Sequence, residues 1–236
     1  MFPGAVVFDL FHTLVDTEHL RPVGFSEVES VARVIGAEPS GFAQFWAETY
    51  VERETSMLDL GDLTARYCNQ IGLLLDFAQL DEIDTVFGVC KDEALRQPEP
   101  AMVELVATVA SGSVIGVLSN CHAREVRAWS ASPFVDYVAV FGRSCEIGFM
   151  KPDVRCYQWV MDRLGVDTGD ATFVGNGASG ELDGARAAGF ARIVHCNIFD
   201  AVNGIVPLDE QSRRASQADV SVSTIDDLRA AISGHP

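Results

Sequence analysis

The stretch Ala5-Val6-Val7-Phe8-Asp9, continued by Leu10-Phe11-His12-Thr13, decides the fold. Its first four residues form an uninterrupted apolar run with β-branched side chains, which is typical of a parallel strand buried on both faces. The run ends in Asp9. The carboxyl ends of strands in open parallel sheets face the ligand crevice, so rigid backbone would present this carboxylate to a substrate. Such a placement suits a nucleophile, although an Asp also ends strands simply as a turn former.

Helix and strand patterns alternate through the second half of the chain. Strand patterns cover residues 114–118, 137–141, 171–174, 191–194 and 220–222, and helix patterns cover residues 101–110, 123–129, 153–164, 181–188 and 225–232. This order predicts an α/β fold with a doubly wound parallel sheet. The polar segment 203–217 is predicted to be a loop or a short helix.

A helical insert separates the first strand from this alternating part. Apolar side chains recur there at a spacing of three and four residues, as at Val28, Val31 and Ile35. A second helix pattern covers residues 42–58, a third begins at residue 62, and a fourth covers residues 79–95. No strong strand pattern appears in this segment. Two prolines close the insert by breaking the last helix. We therefore expect a core of residues 1–16 and 97–236 and a helical domain of residues 17–96.

Composition and charge exclude several classes of partner. Of 236 residues, 48% are hydrophobic, which is enough for a sizeable core. The formal net charge of −17 disfavours nucleic acid and anionic membrane surfaces, because like charges repel. No apolar run approaches the roughly 18–20 residues of a membrane span, and the N-terminus does not resemble a signal peptide. We expect a small-molecule substrate and no nucleic-acid or membrane partner, and a homodimer is compatible with the sequence.

The cysteines indicate a reducing compartment. Six are scattered along the chain, and none form a C-x-x-C pair. Neither a cysteine zinc site nor a disulfide framework is therefore predicted. Reduced thiols are typical of the cytoplasm, where we expect the protein to act.

Polar side chains follow four of the predicted strands and should converge at one edge of the sheet. Asp9 would attack the substrate and form a covalent intermediate, while Lys151 would offset the negative charge of Asp9 and substrate. Ser119 would bind anionic oxygens of the substrate. Oxygen ligands near the last of these strands could hold Mg²⁺. The four groups are Asp9 with Thr13, Ser119 with Asn120, Lys151, and Asn176 with Glu181.

In order and spacing these residues resemble the haloacid dehalogenase (HAD) superfamily, and the match covers nearly the whole chain. The four motifs are Asp9-x-x-x-Thr13, Ser119, Lys151-Pro152-Asp153, and Val174-Gly175-Asn176 with Glu181 and Gly184-Ala185. The resemblance implies a Rossmann-like core and a helical cap of subclass I, which would choose the substrate. It also implies Asp9 and Lys151 as catalytic residues. Substrate contacts would come from Phe11, His12, Thr13, Ser119 and Asn120, and Mg²⁺ ligands from Asp9, the Phe11 carbonyl, Asn176 and Glu181.

Two departures bear on the reaction. Most family phosphatases carry a second aspartate as general acid where this chain has Phe11, which cannot transfer a proton. The neutral Asn176 replaces the first acid of the fourth motif. An aromatic residue at position 11 and Tyr157 resemble the 2-haloacid dehalogenases, which attack carbon and need no metal. A cap arginine that would bind their substrate has only positional candidates here, namely Arg33, Arg53 and Arg66.

Three functions stay open. We rank Mg²⁺-dependent hydrolysis of a small organic phosphate first, because Glu181 and the glycine-rich fourth motif are present, and we expect slow turnover because general acid–base help is typically worth 10²–10⁴-fold. Carbon–halogen hydrolysis is the second function. A non-catalytic binding or regulatory protein on the same fold is the third, since fold does not settle function. His12 stands where the family usually has a small residue and could donate a proton.

Overall fold

The computed structural model describes residues 2–234 and contains one six-stranded parallel sheet. The strands are β1 (Ala5–Phe8), β2 (Val114–Ser119), β3 (Val138–Arg143), β4 (Ala171–Gly175), β5 (Arg192–Cys196) and β6 (Val220–Val222), in the spatial order β3-β2-β1-β4-β5-β6. All four residues of β1 are buried, and Phe8 lies between Val117 and Val174 of the flanking strands. The predicted α/β fold with a parallel sheet is confirmed.

Helices cover both faces of this sheet. Four of them are α6 (Pro100–Ala110), α8 (Val154–Leu164), α9 (Glu181–Ala187) and α12 (Ile225–Ser233). Val6 and Phe8 pack with α6 and α12 on one face, whereas Ala5 and Val7 pack with α8 and α9 on the other. The alternation follows from the period of two along a strand. The sheet is therefore doubly wound, and its strand order changes direction beside β1, where a ligand crevice forms.

Five helices lie between β1 and α6: α1 (Glu27–Ile35), α2 (Pro39–Glu48), α3 (Tyr50–Glu54), α4 (Leu60–Gln70) and α5 (Phe77–Arg96). The apolar faces of α1, α2, α4 and α5 meet in a separate cluster around Phe42, Leu63 and Phe87. The cluster spans residues 28–87, whereas Ala94 and Leu95 at the end of α5 pack in the core cluster. The boundaries of the helical domain at residues 17 and 96 stay a proposal. The proposed core of residues 1–16 and 97–236 includes Met1, His235 and Pro236, which lie outside the described residues.

Three segments differ from the sequence prediction. The predicted helix 42–58 is two helices, α2 and α3, which meet at Thr49, and the Thr49 hydroxyl donates to the Phe45 carbonyl at 2.9 Å. Residues Ala123–Ala131 form a 3-10 helix. The segment 203–217, predicted to be a loop or a short helix, does contain the short helix α11 (Leu208–Ala215), which follows α10 (Ile198–Asn203). The short α7 (Ser144–Ile147) after β3 was not predicted.

Ion pairs join α5 to the 3-10 helix of the core. Both terminal nitrogens of Arg124 donate hydrogen bonds to the Asp92 carboxylate, at 2.8 and 2.9 Å. Its Nε donates a hydrogen bond to the Asp84 carbonyl at 3.0 Å. Arg127 pairs with the Asp84 carboxylate at 2.7 and 2.9 Å. The Arg124 guanidinium crosses α5 at Gly88, where an added Cβ would lie 1.6 Å from Nη2. Gly88 therefore leaves the space that Arg124 needs.

Exchange of Gly88 for Ala should destabilise the protein by about 1–3 kcal/mol, because the new methyl group displaces a buried guanidinium from Asp92. Chemical denaturation measures the free energy of unfolding. Val89→Ala, at the exposed neighbouring position, serves as the control and should change stability by much less. Equal stability of Gly88→Ala and wild type would mean that Arg124 does not hold the helical domain to the core.

Two further features concern the chain as a whole. Within residues 2–234, no helix combines the length and the apolar character needed to cross a bilayer. All six cysteines are buried with free thiols.

Candidate active site

Asp9 is fixed at the end of β1 by backbone and side-chain contacts. Its backbone N–H donates to the Val174 carbonyl of β4 at 2.8 Å, and its Oδ2 accepts a hydrogen bond from the Thr13 hydroxyl at 2.8 Å. The turn that brings Thr13 back is closed by bonds from Leu14 and Val15 to the Leu10 carbonyl. Asp9 keeps 7% of its surface exposed. The carboxylate is therefore held rigidly, with Thr13 as its positioning residue.

Lys151 lies between two carboxylates. Its Nζ donates to Asp9 Oδ1 and, at 2.5 Å, to Glu181 Oε2, and all three side chains are buried. Burial alone would lower the pKa of Lys151, but the charges of Asp9 and Glu181 outweigh burial and raise this pKa above its ordinary value. Lys151 therefore stays protonated. We call Asp9, Lys151 and Glu181 the charged triad.

Asn120 holds the backbone of Lys151. Its Oδ1 accepts from the Lys151 backbone N–H at 2.7 Å, and its Nδ2 donates to the Lys151 carbonyl at 2.9 Å. Both ends of the amide thus hold the Lys151 backbone, and the substrate contact of Asn120 stays a prediction. The Ser119 hydroxyl makes only a long bond of 3.4 Å to the Asn120 carbonyl, which leaves it able to bind a substrate oxygen.

Glu181 is held from two sides at the start of α9. Its Oε1 accepts from the Gly177 N–H at 2.9 Å, and its backbone carbonyl accepts from the buried Tyr157 hydroxyl at 2.7 Å. Gly177 has a φ of +83°, a conformation that glycine adopts without strain. Burial, followed by the charge of Asp9, raises the pKa of Glu181 to about 7. The carboxyl group can therefore exchange a proton near neutral pH.

Asn176 belongs to a second polar network. Its Nδ2 donates to Asp200 Oδ2 at 3.1 Å, and its Oδ1 accepts from the Ala178 N–H at 3.1 Å. Arg214 reaches the same Asp200 oxygen at 3.2 Å and the Asn176 carbonyl at 3.1 Å. Sequence reasoning did not single out Asp200 or Arg214. The sequence drew attention only to the arginine pair at 213 and 214, within the segment predicted to be a loop or a short helix.

The two remaining predicted residues flank the same turn. His12 adopts a φ of +63°, and its Nδ1 lies 3.7 Å from Asp200 Oδ1. Phe11 packs against the cluster on the α6 side of the sheet. Its side chain provides no proton next to Asp9, as the sequence predicted.

Three of the four groups predicted as Mg²⁺ ligands, all but the Phe11 carbonyl, have other partners in this structure. Mg²⁺ requires near-ideal octahedral oxygen geometry. The Lys151 ammonium already lies between Asp9 and Glu181, and the Asn176 amide is turned toward Asp200 and Ala178. Among the described residues, Lys151 is therefore the only cation that pairs with Asp9 and Glu181. The family commonly uses Mg²⁺, but the donor set of this chain favours chemistry that relies on its own cations.

The cap arginines differ in their surroundings. Arg66 is exposed and paired with Glu52 at 2.6 Å, and Arg33 is exposed on α1. Arg53 is buried at the end of α3, where its guanidinium lies 3.8 Å from the centre of the Trp46 ring and donates to the Trp46 carbonyl. Of the three candidates, only Arg53 lies in the interior of the cap.

Comparison with known proteins gives consistent results. The family model for haloacid dehalogenase-like hydrolases matches residues 3–189. A curated relative, (S)-2-haloacid dehalogenase 4A of Burkholderia cepacia, is 27% identical over 194 residues, which cover 79% of this chain and 80% of the relative.

Solved structures share the fold over nearly the entire chain. The L-2-haloacid dehalogenase of Xanthobacter autotrophicus with chloropropionic acid covalently bound is 18% identical, with a TM-score of 0.61 and coverage of 99% of this chain and 100% of the other. A HAD phosphatase from Thermococcus onnurineus is 20% identical, with a TM-score of 0.63 and coverage of 98% and 99%. The family match, the parallel sheet and the four motifs together show that this chain is a hydrolase that belongs to the haloacid dehalogenase-like family.

Proposed function

We propose that this hydrolase cleaves the carbon–halogen bond of a small 2-haloacid through an ester on Asp9, without a metal ion. The observation that carries the proposal is the charged triad beside the apolar Phe11. Lys151 supplies the positive charge, and no general acid follows the nucleophile. The relatives named as haloacid dehalogenases support the same reaction.

We rank carbon–halogen hydrolysis above phosphate ester hydrolysis because the two reactions expel different leaving groups. A halide leaves as a stable anion and needs no proton, whereas the alkoxide of a phosphate ester needs a general acid. Phe11 cannot serve as that acid. Phosphate ester hydrolysis, ranked first from the sequence, therefore becomes the second candidate. The glycine-rich loop before Glu181 and the fold shared with a HAD phosphatase favour it.

The proposed reaction has two steps. In the first, an Asp9 oxygen attacks the carbon that bears the halogen; a carbon–oxygen bond forms, and the halide leaves with the electron pair of the carbon–halogen bond. In the second, water attacks the Asp9 carboxyl carbon and releases the 2-hydroxy acid. Glu181, with its pKa of about 7, accepts one proton of this water and then returns it to the departing alkoxide oxygen. The Asp9 carboxyl group loses the second proton of the water to solvent and regains its carboxylate.

The substrate carboxylate needs its own partners because the chain carries a large negative charge. The Ser119 hydroxyl is free to donate to it, and Lys151 raises the local positive potential. Arg53 provides a second cation within the cap. We assign substrate binding to Ser119 and Arg53 and nucleophile positioning to Thr13.

A paired assay tests the proposal. Halide release from 2-chloropropionate is measured with a chelator present, and phosphate release from an aryl phosphate is measured with Mg²⁺. We expect chelator-resistant halide release and little phosphate release. Mg²⁺-dependent phosphate release without halide release would overturn the proposal in favour of the second candidate, and neither product would favour a binding protein.

The steady-state rate of halide release should depend on the protonation of Glu181, because the Asp9 ester must be hydrolysed before the next halide can leave. The base must be deprotonated, so the rate should rise with pH through about 7 and then level off. Glu181→Gln should lower the rate by about 10²–10⁴-fold and remove this rise. Asp183→Asn, on the same helix but exposed, is the matched control and should keep the wild-type profile. A wild-type profile in Glu181→Gln would exclude Glu181 as the base.

A further inference from the structure

A second group of ligand-type side chains lies between the cap and the core, apart from the charged triad. It consists of Glu54 at the end of α3, His122 in the loop after β2, and Glu125 in the 3-10 helix that follows. One nitrogen or oxygen atom from each residue lies within 4.8 Å of the others. Glu54 and His122 are 5% and 2% exposed. The proposed reaction uses none of these three residues.

The group has unused hydrogen-bonding capacity. His122 Nδ1 is buried without a partner among the described residues, and Nε2 is 3.7 Å from Glu125 Oε2, which is too far for a hydrogen bond. Glu54 accepts one long bond of 3.3 Å from Arg53 Nε. Buried polar groups are nearly always satisfied, so the unpartnered imidazole nitrogen of His122 indicates a missing ligand.

Carboxyl groups outnumber cations around the group. Three of them, Glu27, Glu54 and Glu125, share two cations, Lys91 and Arg53. A neutral imidazole has a lone pair available for a metal ion.

We propose that Glu54, His122 and Glu125 bind a divalent first-row transition metal, with Zn²⁺ as the expected ion, and that this metal clips the cap to the core. One imidazole and two carboxylates are a donor set that Zn²⁺ accepts, whereas Mg²⁺ prefers oxygen ligands only. Bond lengths of about 2.0–2.2 Å require the ligand atoms to approach one another by about 1 Å, which side-chain rotation can supply. Because Glu54 belongs to the cap and the other two residues to the core, the bound ion would hold the cap closed.

Metal binding is tested on the full-length protein after treatment with a chelator. Zn²⁺ should raise the melting temperature, and Co²⁺ should give a visible absorption spectrum at one equivalent. Both signals should be lost in Glu54→Gln and in His122→Ala. They should persist in Glu52→Gln, an exposed position on the same helix, and in Asp9→Asn, which alters only the charged triad.

The isosteric Glu54→Gln variant keeps the test valid if His122→Ala does not fold. Full Zn²⁺ stabilisation in Glu54→Gln would overturn the proposal, as would the absence of any response in wild type. Loss of the signals in Asp9→Asn would place the metal at the charged triad instead. A strong sulfur-to-cobalt absorption band would show thiol ligands and would also contradict the site.

Discussion

Asp9→Asn is expected to lower halide release by about 10⁴-fold or more while the protein stays folded. The amide cannot attack carbon, so the first step of the proposed reaction does not occur. The fold should persist because Lys151 keeps its partner Glu181 and the backbone bond from residue 9 to Val174 is unchanged. Initial rates of halide release and a thermal melt of the variant measure the two effects.

Asp16→Asn is the matched control. Asp16 is also buried in the segment after β1, but it accepts bonds from the Glu18 N–H and the Asn203 side chain and does not contact Lys151. Its exchange should leave halide release within a few-fold of wild type. Activity of Asp9→Asn within tenfold of wild type would exclude Asp9 as the nucleophile.

Lys151→Met is expected to remove activity and to destabilise the protein by about 3–5 kcal/mol, because it leaves Asp9 and Glu181 buried without their cation. Two unpaired carboxylates have raised pKa values, so the folded variant binds protons more tightly than the unfolded chain. Its stability deficit should therefore be smaller near pH 5 and grow as the pH rises. Urea denaturation at several pH values measures this dependence.

Lys91→Met is the control that distinguishes an effect on stability from an effect on activity. Lys91 also bridges two carboxylates, Glu27 and Glu125, but at the interface between cap and core. Its loss should destabilise the protein comparably and leave the folded fraction active. Adding Glu181→Gln to Lys151→Met should restore part of the lost stability, since one unpaired carboxylate is removed. Wild-type stability of Lys151→Met at pH 8 would contradict the charged triad.

The sequence was sufficient for the sheet and for the contact between Asp9 and Lys151. Apolar runs that end in polar residues predict parallel strands, and parallel strands place those residues on one edge regardless of their separation along the chain. For this reason the order of the four motifs predicted that their side chains meet, although each motif alone was a weak indication. The pairing of Lys151 with Glu181 follows from the same edge.

Other contacts had no sequence pattern to reveal them. Asp200 meets Asn176 only because β5 places α10 beside the glycine-rich loop, and Arg214 joins them from α11, a segment too polar to show a buried face. The group of Glu54, His122 and Glu125 depends on how the cap rests on the core. The packing between two units is set by side-chain shape, which periodicity does not encode.

The central claim is that Asp9 makes a transient ester with its substrate, and a single turnover in heavy-oxygen water tests this claim most directly. Enzyme in excess over 2-chloropropionate is allowed to react, and the peptide that contains Asp9 is analysed by mass spectrometry. We predict one heavy oxygen in the Asp9 carboxylate and none in the hydroxy acid, because water attacks the carboxyl carbon of the ester. Heavy oxygen in the product with an unlabelled Asp9 would show direct attack by water and would contradict the account.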